Sequence, residues 1–406
     1  MNSLEKQTEL ASPFSKAWVV LILGSLTAFG PLSMDMYLPA LPMVAEDLHT
    51  TTSLAQLSLT ACLLGLAIGQ LIFGPLSDIQ GRRKPLISTL LIYSVASVLC
   101  AFSPNIWILV FLRFVQGLTG AAGIVIARAS ARDLYSGKEL TKFVSLLALV
   151  NGAAPILAPI SGGAVLNFTS WPAVFIILGV IGLIMFLAVL FFLPETLPMH
   201  HRSESSLKAT LKTFGTLLKD RSFMGLTSTQ ALIMASMFAY IAGSPFVLQN
   251  IYGVTPQQFS MLFALNGLGI IISAQIAGRL SSTVGETKLL LSGILMAFTG
   301  SLLLIIVVIA KLPLLPMIIA LFLIVSSVGM VSTTAFSLSM QRQGESAGSA
   351  SALLGLLPFI GGAIVSPLVG IAGDENALPM GIIIFSCNSM ALFSYFFLIR
   401  NRSLTN

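Results

Sequence analysis

Long apolar runs separated by short polar intervals extend along the whole chain. A helix needs about 20 mostly apolar residues to cross a bilayer, and twelve runs reach or approach that length. These runs cover residues 17–37, 53–75, 86–103, 106–127, 142–166, 172–193, 222–249, 258–278, 288–310, 314–339, 347–371 and 378–399. The pattern therefore predicts an all-α integral membrane protein with twelve transmembrane helices.

A long polar interval at the middle of the chain divides the spans into two groups of six. It predicts an N-terminal six-helix bundle in residues 1–193, a cytoplasmic linker in 194–221 and a C-terminal six-helix bundle in 222–406. Within the linker, apolar residues recur at helical spacing, which favours an amphipathic helix at the membrane surface over a merely solvated linker. These residues are Leu207, Leu211, Phe214 and Leu218.

The composition supports a membrane protein, since 56% of the residues are apolar, 9% are charged and the mean hydropathy is +0.95. Soluble domains carry about 25% charged residues, so the chain cannot cover a water-facing surface. The net charge of +6 does not indicate nucleic acid, because the basic residues form short clusters between spans. Of the 21 Lys and Arg residues, all but Lys311 and Arg113 fall on one side of the predicted topology. This bias predicts that both termini are cytoplasmic.

Motifs for catalysis or metal binding are missing from the sequence. It contains no P-loop and no HExxH, and its three Cys residues lie inside apolar runs without metal-ligand spacing. We therefore predict no catalytic residue, no metal, no cofactor and no enzymatic activity.

A repeat relates the two halves of the chain. Gly74 and Gly81 bracket the loop between spans 2 and 3, and Gly278 and Gly285 bracket the loop between spans 8 and 9 with the same spacing. A Gly–Pro pair in span 5 also recurs in span 11 at nearly the same offset. These coincidences predict duplicated halves, and transporters built this way bind substrate near the midplane, between the repeats.

Three segments carry a family resemblance: GPLSDIQGRRKP after span 2, LVFLRFVQGLTGAA in span 4 and NGAAPILAPISGG in span 5. They resemble the major facilitator superfamily, and SMDMYLPALP in span 1 and ARDLY after span 4 resemble its Bcr/CflA branch of drug:proton antiporters. The resemblance implies a monomer in the bacterial cell membrane that exports small amphipathic drugs by alternating access. It also implies a proton as the coupling ion.

Two charged residues lie inside predicted spans. Asp35 is the only acid within a span, and a charge at the bilayer centre costs about 2.5–3.5 kcal/mol. Such a carboxylate can take up a proton on one side and release it on the other; alternatively, it reaches headgroup water. Arg113 is the only base within a span. In the resembled family the matching Arg participates in proton coupling, although it could instead pin span 4 to its neighbours. We expect Asp35 and Arg113 to influence one another across the N-terminal cavity.

The loop between spans 2 and 3 is the candidate cytoplasmic gate. Gly74 and Gly81 permit close approach and unusual backbone angles. In the resembled family, the loop Asp meets span 11 and the loop Arg meets an acid after span 4, which implies a gate of Asp78, Arg82 and Asp133. The alternative is an ordinary positively charged loop. The equivalent loop in the second half has Ser282 in place of the Asp, so the predicted gate is one-sided.

Span 5 carries small residues and prolines that bend a helix or let a neighbour approach closely: Gly152, Pro155, Pro159, Gly162 and Gly163. A hinge role and a packing role both remain open. The resembled antiporter motif has Gly where this chain has Ala158.

The C-terminal half has no charged residue within a span, which suits an amphipathic or aromatic solute. The predicted substrate-cavity residues are Met34, Tyr37, Gln116, Asn151, Met237, Tyr240 and Asn266. A single carboxylate favours neutral or monocationic drugs. An exporter of an endogenous metabolite or sugar is the alternative within transport. A channel would need rings of carbonyls or like charges, which the sequence does not show.

Overall fold

The computed structural model describes residues 13–135, 137–199, 202, 215–341, 347–373 and 375–400. Fourteen α-helices form this part of the chain, and it contains no strand. They are α1 (Pro13–Thr27), α2 (Phe29–Asp35), α3 (Leu41–Asp47), α4 (Thr52–Gln80), α5 (Arg83–Ala101), α6 (Ile106–Leu134), α7 (Gly137–Leu166), α8 (Pro172–Phe192), α9 (Arg221–Phe246), α10 (Pro256–Val284), α11 (Glu286–Ile309), α12 (Leu314–Met340), α13 (Ala347–Val369) and α14 (Leu378–Ser394). The predicted all-α architecture is confirmed.

Within the described ranges, nine helices are long and apolar enough to cross a membrane. A tenth candidate is the bent pair Trp18–Thr27 and Phe29–Asp47. The shorter apolar helices Ala153–Leu166 and Leu353–Val369 belong to α7 and α13. Together these segments coincide with the twelve apolar runs.

The first predicted span is broken, because its two parts meet at an angle of 40° after Thr27. Pro31 lies four residues further on and has no amide hydrogen to donate to the Thr27 carbonyl. The hydroxyl of Thr27 turns back to the Gly24 carbonyl instead, at 2.7 Å. The helix resumes when the amide of Leu32 donates to the Ala28 carbonyl. This break makes Asp35 the last residue of the separate helix α2.

The helices pack as two sets. In the first helix set (α1–α8), α4 packs on α6, α5 packs on α6 and α8, and α2 packs on α6 and α7. In the second helix set (α9–α14), α10 and α11 pack on α12, and α9 packs on α12, α13 and α14. The sets meet where α4 contacts α13 and where α7 contacts α10. These two contacts are equivalent under exchange of the two halves.

The linker prediction cannot be followed along its full length. Residues 203–214 lie outside the described part of the chain, together with Leu207, Leu211 and Phe214 of the expected surface helix. The division at residues 194–221 therefore stays a prediction.

Glycines allow the closest helix crossings in both sets. A methyl group on Gly117 of α6 would overlap the Cys62 carbonyl of α4, and one on Gly329 of α12 would overlap the Ile270 carbonyl of α10. Small residues at such crossings let backbones pack without displacing side chains. The cores of both halves therefore depend on positions where any side chain would push the helices apart.

Candidate functional site

A cavity of about 290 Å³ lies between the two helix sets. The first set contributes α2, α4, α6 and α7 to its wall, and the second set contributes α9, α10, α12 and α13. Four of the predicted substrate residues line it: Met34, Met237, Tyr240 and Asn266. Tyr37 and Gln116 do not line it and are fully buried within the first set. The side chain of Asn151 lies outside the described residues.

Asp35 lines this cavity from the first helix set. The residue is 7% exposed, and its carboxyl group makes no hydrogen bond or ion pair with any residue that the structure describes. Asp35 therefore faces the cavity between the two helix sets. A buried acid without a fixed partner is free to bind a proton or a ligand.

Arg113 of α6 is fully buried beside this acid-bearing segment. One Nη atom donates to the Ser33 carbonyl at 2.7 Å and also to Oε1 of Gln116. The guanidinium lies 4.9 Å from the ring centre of Tyr37 and 5.6 Å from that of Phe175. Its Nε and second Nη have no partner among the described residues.

No ion pair or hydrogen bond joins Asp35 to Arg113 among the described contacts. They are connected through the backbone of α2, because Arg113 holds the carbonyl of Ser33, two residues before Asp35. Arg113 thus fixes the position of α2 in this structure. Its mutual influence with Asp35 stays a prediction.

The helix carrying the span 5 motif, α7, also reaches the Asp35 segment. A methyl group on Gly162 would overlap the carbonyl of Met36, directly after Asp35, and one on Gly163 would overlap the hydroxyl of Ser260 in α10. Adjacent glycines therefore bring α7 close to the Asp35 segment of its own set and to α10 of the second set. Pro155 lines the cavity.

The structure describes the surroundings of some of the remaining span 5 motif residues but not of all. Pro159 and the divergent Ala158 are buried. The surroundings of Gly152 lie outside the described residues.

The three predicted gate residues lie together. Arg82 Nη1 contacts Asp78 Oδ1 at 2.5 Å, and Arg82 Nε contacts Asp133 Oδ2 at 2.8 Å. Burial disfavours the charged guanidinium, but hydrogen bonds and charges from Asp133 and Asp78 outweigh it and raise the pKa of Arg82 above its ordinary value. We call Asp78, Arg82 and Asp133 the inner network.

Glu195, which sequence reasoning missed, extends the inner network. Its Oε1 accepts from the backbone amide of Arg82 at 2.8 Å, and its Oε2 accepts from that of Arg83 at 3.2 Å. Gly81 ends α4 with a left-handed φ of 90°, and a methyl group there would overlap the Glu195 carboxylate. The signal in the sequence is an acid directly after the sixth span.

The contacts of the other gate positions are partly described. A methyl group on Gly74 would lie 3.4 Å from the Val125 side chain in α6. Residues 342–346, which precede α13, lie outside the described chain. The implied contact of Asp78 with the start of span 11 therefore stays a prediction.

The second half repeats this geometry with different chemistry. Gly285 ends α10 at φ 89°, and the following residue, Glu286, occupies the repeat position of Arg82. Glu286 accepts from Ser337 Oγ at 2.7 Å and from Gln341 Nε2 at 2.8 Å. Ser337 is the repeat counterpart of Asp133. The same helix ends are thus joined by hydrogen bonds to neutral groups instead of an ion pair.

At the predicted outer face, hydrogen bonds join the two helix sets. Gln56 Nε2 donates to the Ala242 carbonyl at 3.1 Å, and Gln257 Nε2 donates to the Gly163 carbonyl at 3.1 Å. Two further bonds, each 3.2 Å long, run from Ser53 to Pro367 and from Gln249 to Pro39. The inner network, in contrast, lies entirely within the first set.

Comparison with known proteins assigns the chain to a family. Residues 23–366 match the Major Facilitator Superfamily. YdgK of Bacillus subtilis, an uncharacterised MFS-type transporter, is 48% identical over 94% of this chain and 95% of its own length. The bicyclomycin resistance protein homolog of Haemophilus influenzae is 30% identical over 93% of this chain and 95% of its own. The chloramphenicol resistance protein of Pseudomonas aeruginosa is 34% identical over 72% and 68%, respectively.

A solved structure agrees in fold. A bacterial homolog of the human lysosomal transporter Spinster superposes with a TM-score of 0.76 at 14% identity, over 96% of this chain and 98% of that one. The names of the relatives agree with the Bcr/CflA resemblance of the sequence motifs. At this identity the superposition concerns the twelve-helix fold alone.

Proposed function

Because the chain belongs to the Major Facilitator Superfamily, whose members are transporters rather than enzymes, we propose that it exports small amphipathic drugs in exchange for protons. The observation that carries this proposal is Asp35, an acid at the cavity between the two helix sets that has no partner among the described residues. The names of the bicyclomycin and chloramphenicol resistance relatives favour drugs over an endogenous metabolite or sugar.

In the proposed cycle, the proton and the drug compete for one cavity. When the cavity faces outward, Asp35 takes up a proton and the drug leaves; when it faces inward, the drug enters and the proton is released. An ionised carboxyl group is costly inside the membrane unless a ligand or proton compensates it. The empty, ionised carrier therefore crosses between states slowly. This restriction couples drug export to proton entry.

Arg113 is given a positioning role in the proposed cycle. Its proposed role is to hold α2 through the Ser33 carbonyl, at 2.7 Å, and so to set the position of Asp35.

The two faces supply the gates. In the state described here, hydrogen bonds such as the one from Gln56 to Ala242 join the sets at the predicted outer face. Their opening would expose Asp35 to that side. The inner network would then order the first set to receive α13, as the resemblance implies.

The proposed setting follows from the charge distribution and from the relatives. The basic clusters predict that both termini lie in the cytoplasm, and the bacterial relatives support a place in the bacterial cell membrane. We propose that it acts as a monomer, with no partner other than the bilayer and its small-molecule substrate, and with the proton in place of any cofactor.

The test is drug transport by the full chain in proteoliposomes under an imposed pH gradient, with chloramphenicol as the probe. Asp35→Asn is expected to reduce gradient-driven transport to the level of empty vesicles. Asp47→Asn is the matched control, because Asp47 lies in α3 and accepts from Trp171 Nε1 at 2.8 Å, which an amide oxygen can also do. Gradient-driven transport that survives in Asp35→Asn would contradict the proposal.

A further inference from the structure

The two walls of the central cavity differ in chemistry. The first-set wall carries the charged residues Asp35 and Arg128. The second-set wall is apolar and aromatic, and its polar side chains among the described lining residues are Tyr240 and Asn266. Among the described lining residues, side-chain hydrogen bonds from this wall to a substrate would therefore come from these two residues.

The amide of Asn266 is half satisfied. Its Nδ2 donates to the Tyr240 hydroxyl at 2.8 Å, and its Oδ1 has no partner among the described residues. Asn266 is 3% exposed, so its amide is buried among protein groups. Buried polar groups are almost always paired, and this one lies on a cavity wall.

Rotation of the Asn266 amide does not give a partner to both of its polar atoms. If the amide turned over, Oδ1 would accept from Tyr240 and Nδ2 would be left without a partner. In either orientation, one hydrogen-bonding group of Asn266 remains for a ligand, as an acceptor or as a donor. The Tyr240 ring is itself fixed, because it stacks on Phe263 with 5.6 Å between centroids and 18° between planes.

We infer that Asn266, held by Tyr240, recognises an uncharged hydrogen-bonding group of the exported molecule, such as a hydroxyl or an amide. This inference rests on the proposed function and deepens it. The proton is carried on the first-set wall by Asp35, and the substrate is selected on the second-set wall by a neutral amide. Neutral drugs with a hydroxyl or amide group are thus the expected substrate class.

The selectivity of such a contact is large. A site built to hydrogen-bond a substrate group discriminates strongly against an analogue that lacks it, because the buried polar atom is then left unpaired. An apolar solute can still occupy the aromatic surface beside Tyr240, without using the amide. We therefore expect the cavity to select substrates by their hydrogen-bonding groups as well as by their size.

The test measures equilibrium binding of two probes to the purified full chain in detergent. Chloramphenicol offers hydroxyl and amide groups, and tetraphenylphosphonium offers none. Asn266→Leu, which has similar volume and no hydrogen-bonding group, is expected to raise the Kd for chloramphenicol at least about tenfold. Its Kd for tetraphenylphosphonium should stay within about twofold of the wild-type value.

Asn388→Leu is the matched control. Asn388 is also buried with an unpartnered Oδ1, and its Nδ2 donates to the Ala297 carbonyl at 3.3 Å. It lies in α14 and is not among the lining residues, so chloramphenicol binding should be unchanged. Tyr240→Phe removes the hydroxyl that accepts from the Asn266 amide and should weaken chloramphenicol binding less than Asn266→Leu does. This second variant keeps the test decisive if Asn266→Leu fails to fold.

Three results would overturn the inference. They are wild-type chloramphenicol affinity in both Asn266→Leu and Tyr240→Phe, equal loss of both probes in Asn266→Leu, and equal weakening in the Asn388→Leu control. Failure of the proposed function is distinguishable, because the wild-type chain would then bind chloramphenicol through Asn266 without moving protons. A wild-type chain that binds no chloramphenicol would overturn both.

Discussion

The two halves of the molecule share a backbone plan and differ in where they place charge. Gly81 and Gly285 end equivalent helices with φ of 90° and 89°, and the residue that follows each reaches the end of an equivalent neighbouring helix. In the first half that contact is the ion pair of Arg82 and Asp133, at 2.8 Å. In the second half it is a hydrogen bond from the neutral Ser337 hydroxyl to the Glu286 carboxylate, at 2.7 Å.

The central cavity repeats this difference, since its charged lining residues Asp35 and Arg128 both belong to the first half. The two halves thus share the geometry of these helix ends and differ in their chemistry. A carrier needs one site that changes charge and one surface that recognises the solute. In the proposed site, Asp35 and Asn266 line opposite walls of one cavity, so the drug can compete with the proton while the second-set wall sets substrate preference.

Among variants that test the difference between the two halves, Arg82→Ala is expected to have the largest effect. It leaves Asp78 and Asp133 without their cation, and we expect transport to fall at least about tenfold, equivalent to about 1.4 kcal/mol. Arg82→Lys should lie between this variant and wild type, because an ammonium cannot bridge both acids in a fixed fork. Initial rates of chloramphenicol transport in proteoliposomes measure both.

The pH dependence of this effect has a definite sign. A cation whose pKa is raised in the folded state contributes stability at all pH values below its unfolded pKa and loses it only as pH rises through the folded value. Since the pKa of Arg82 is raised, its charge is constant over the physiological range. A transport defect in Arg82→Ala that vanished between pH 6 and pH 8, a range about four units or more below the ordinary Arg pKa, would contradict this account.

The next effect concerns the crossing beside Asp35. Gly162→Ala would force a methyl group against the Met36 carbonyl, and overpacking of this kind costs about 1–3 kcal/mol. Gly278→Ala is the control, because Gly278 has open space around it and lies within α10, where Ala is favoured over Gly. Thermal unfolding in detergent should show a lower Tm for Gly162→Ala and an unchanged or higher Tm for Gly278→Ala.

The smallest effect is expected in the second half. Glu286→Gln should change the free energy of unfolding by no more than about 0.5 kcal/mol, since Glu286 is partly exposed and its partners are neutral. The double variant Glu286→Arg with Ser337→Asp would install the charged pair of the first half and should add about 0.2–1 kcal/mol. Strong destabilisation by Glu286→Gln would show that the second half also depends on charge.

The sequence predicted the helical architecture because a bilayer imposes a minimum apolar length on each span. The sequence did not predict two details of the helices, and each has a physical reason. The break in span 1 depends on the amide that Pro31 lacks, and α6 runs to Leu134, beyond the apolar run that ends at 127. A helix continues into water after the hydrocarbon ends, so apolar length underestimates helix length. Arg128 lies in this extension of α6, beyond the apolar run, and lines the cavity.

The candidate site was predicted in part. Asp35 stood out because it is the only acid within a predicted span, and the inner network followed from a motif of the resembled family. Tyr37 and Gln116 were expected in the cavity, yet they surround Arg113 instead. A single sequence does not tell which face of a buried helix meets the cavity when all its faces are apolar.

The central claim is that drug and proton compete through Asp35. The most direct measurement is proton release from the purified full chain in weakly buffered detergent solution when chloramphenicol is added. We predict that the wild-type chain and Asp47→Asn release protons on binding, whereas Asp35→Asn binds the drug and releases none. Equal proton release by Asp35→Asn and wild type would contradict the account.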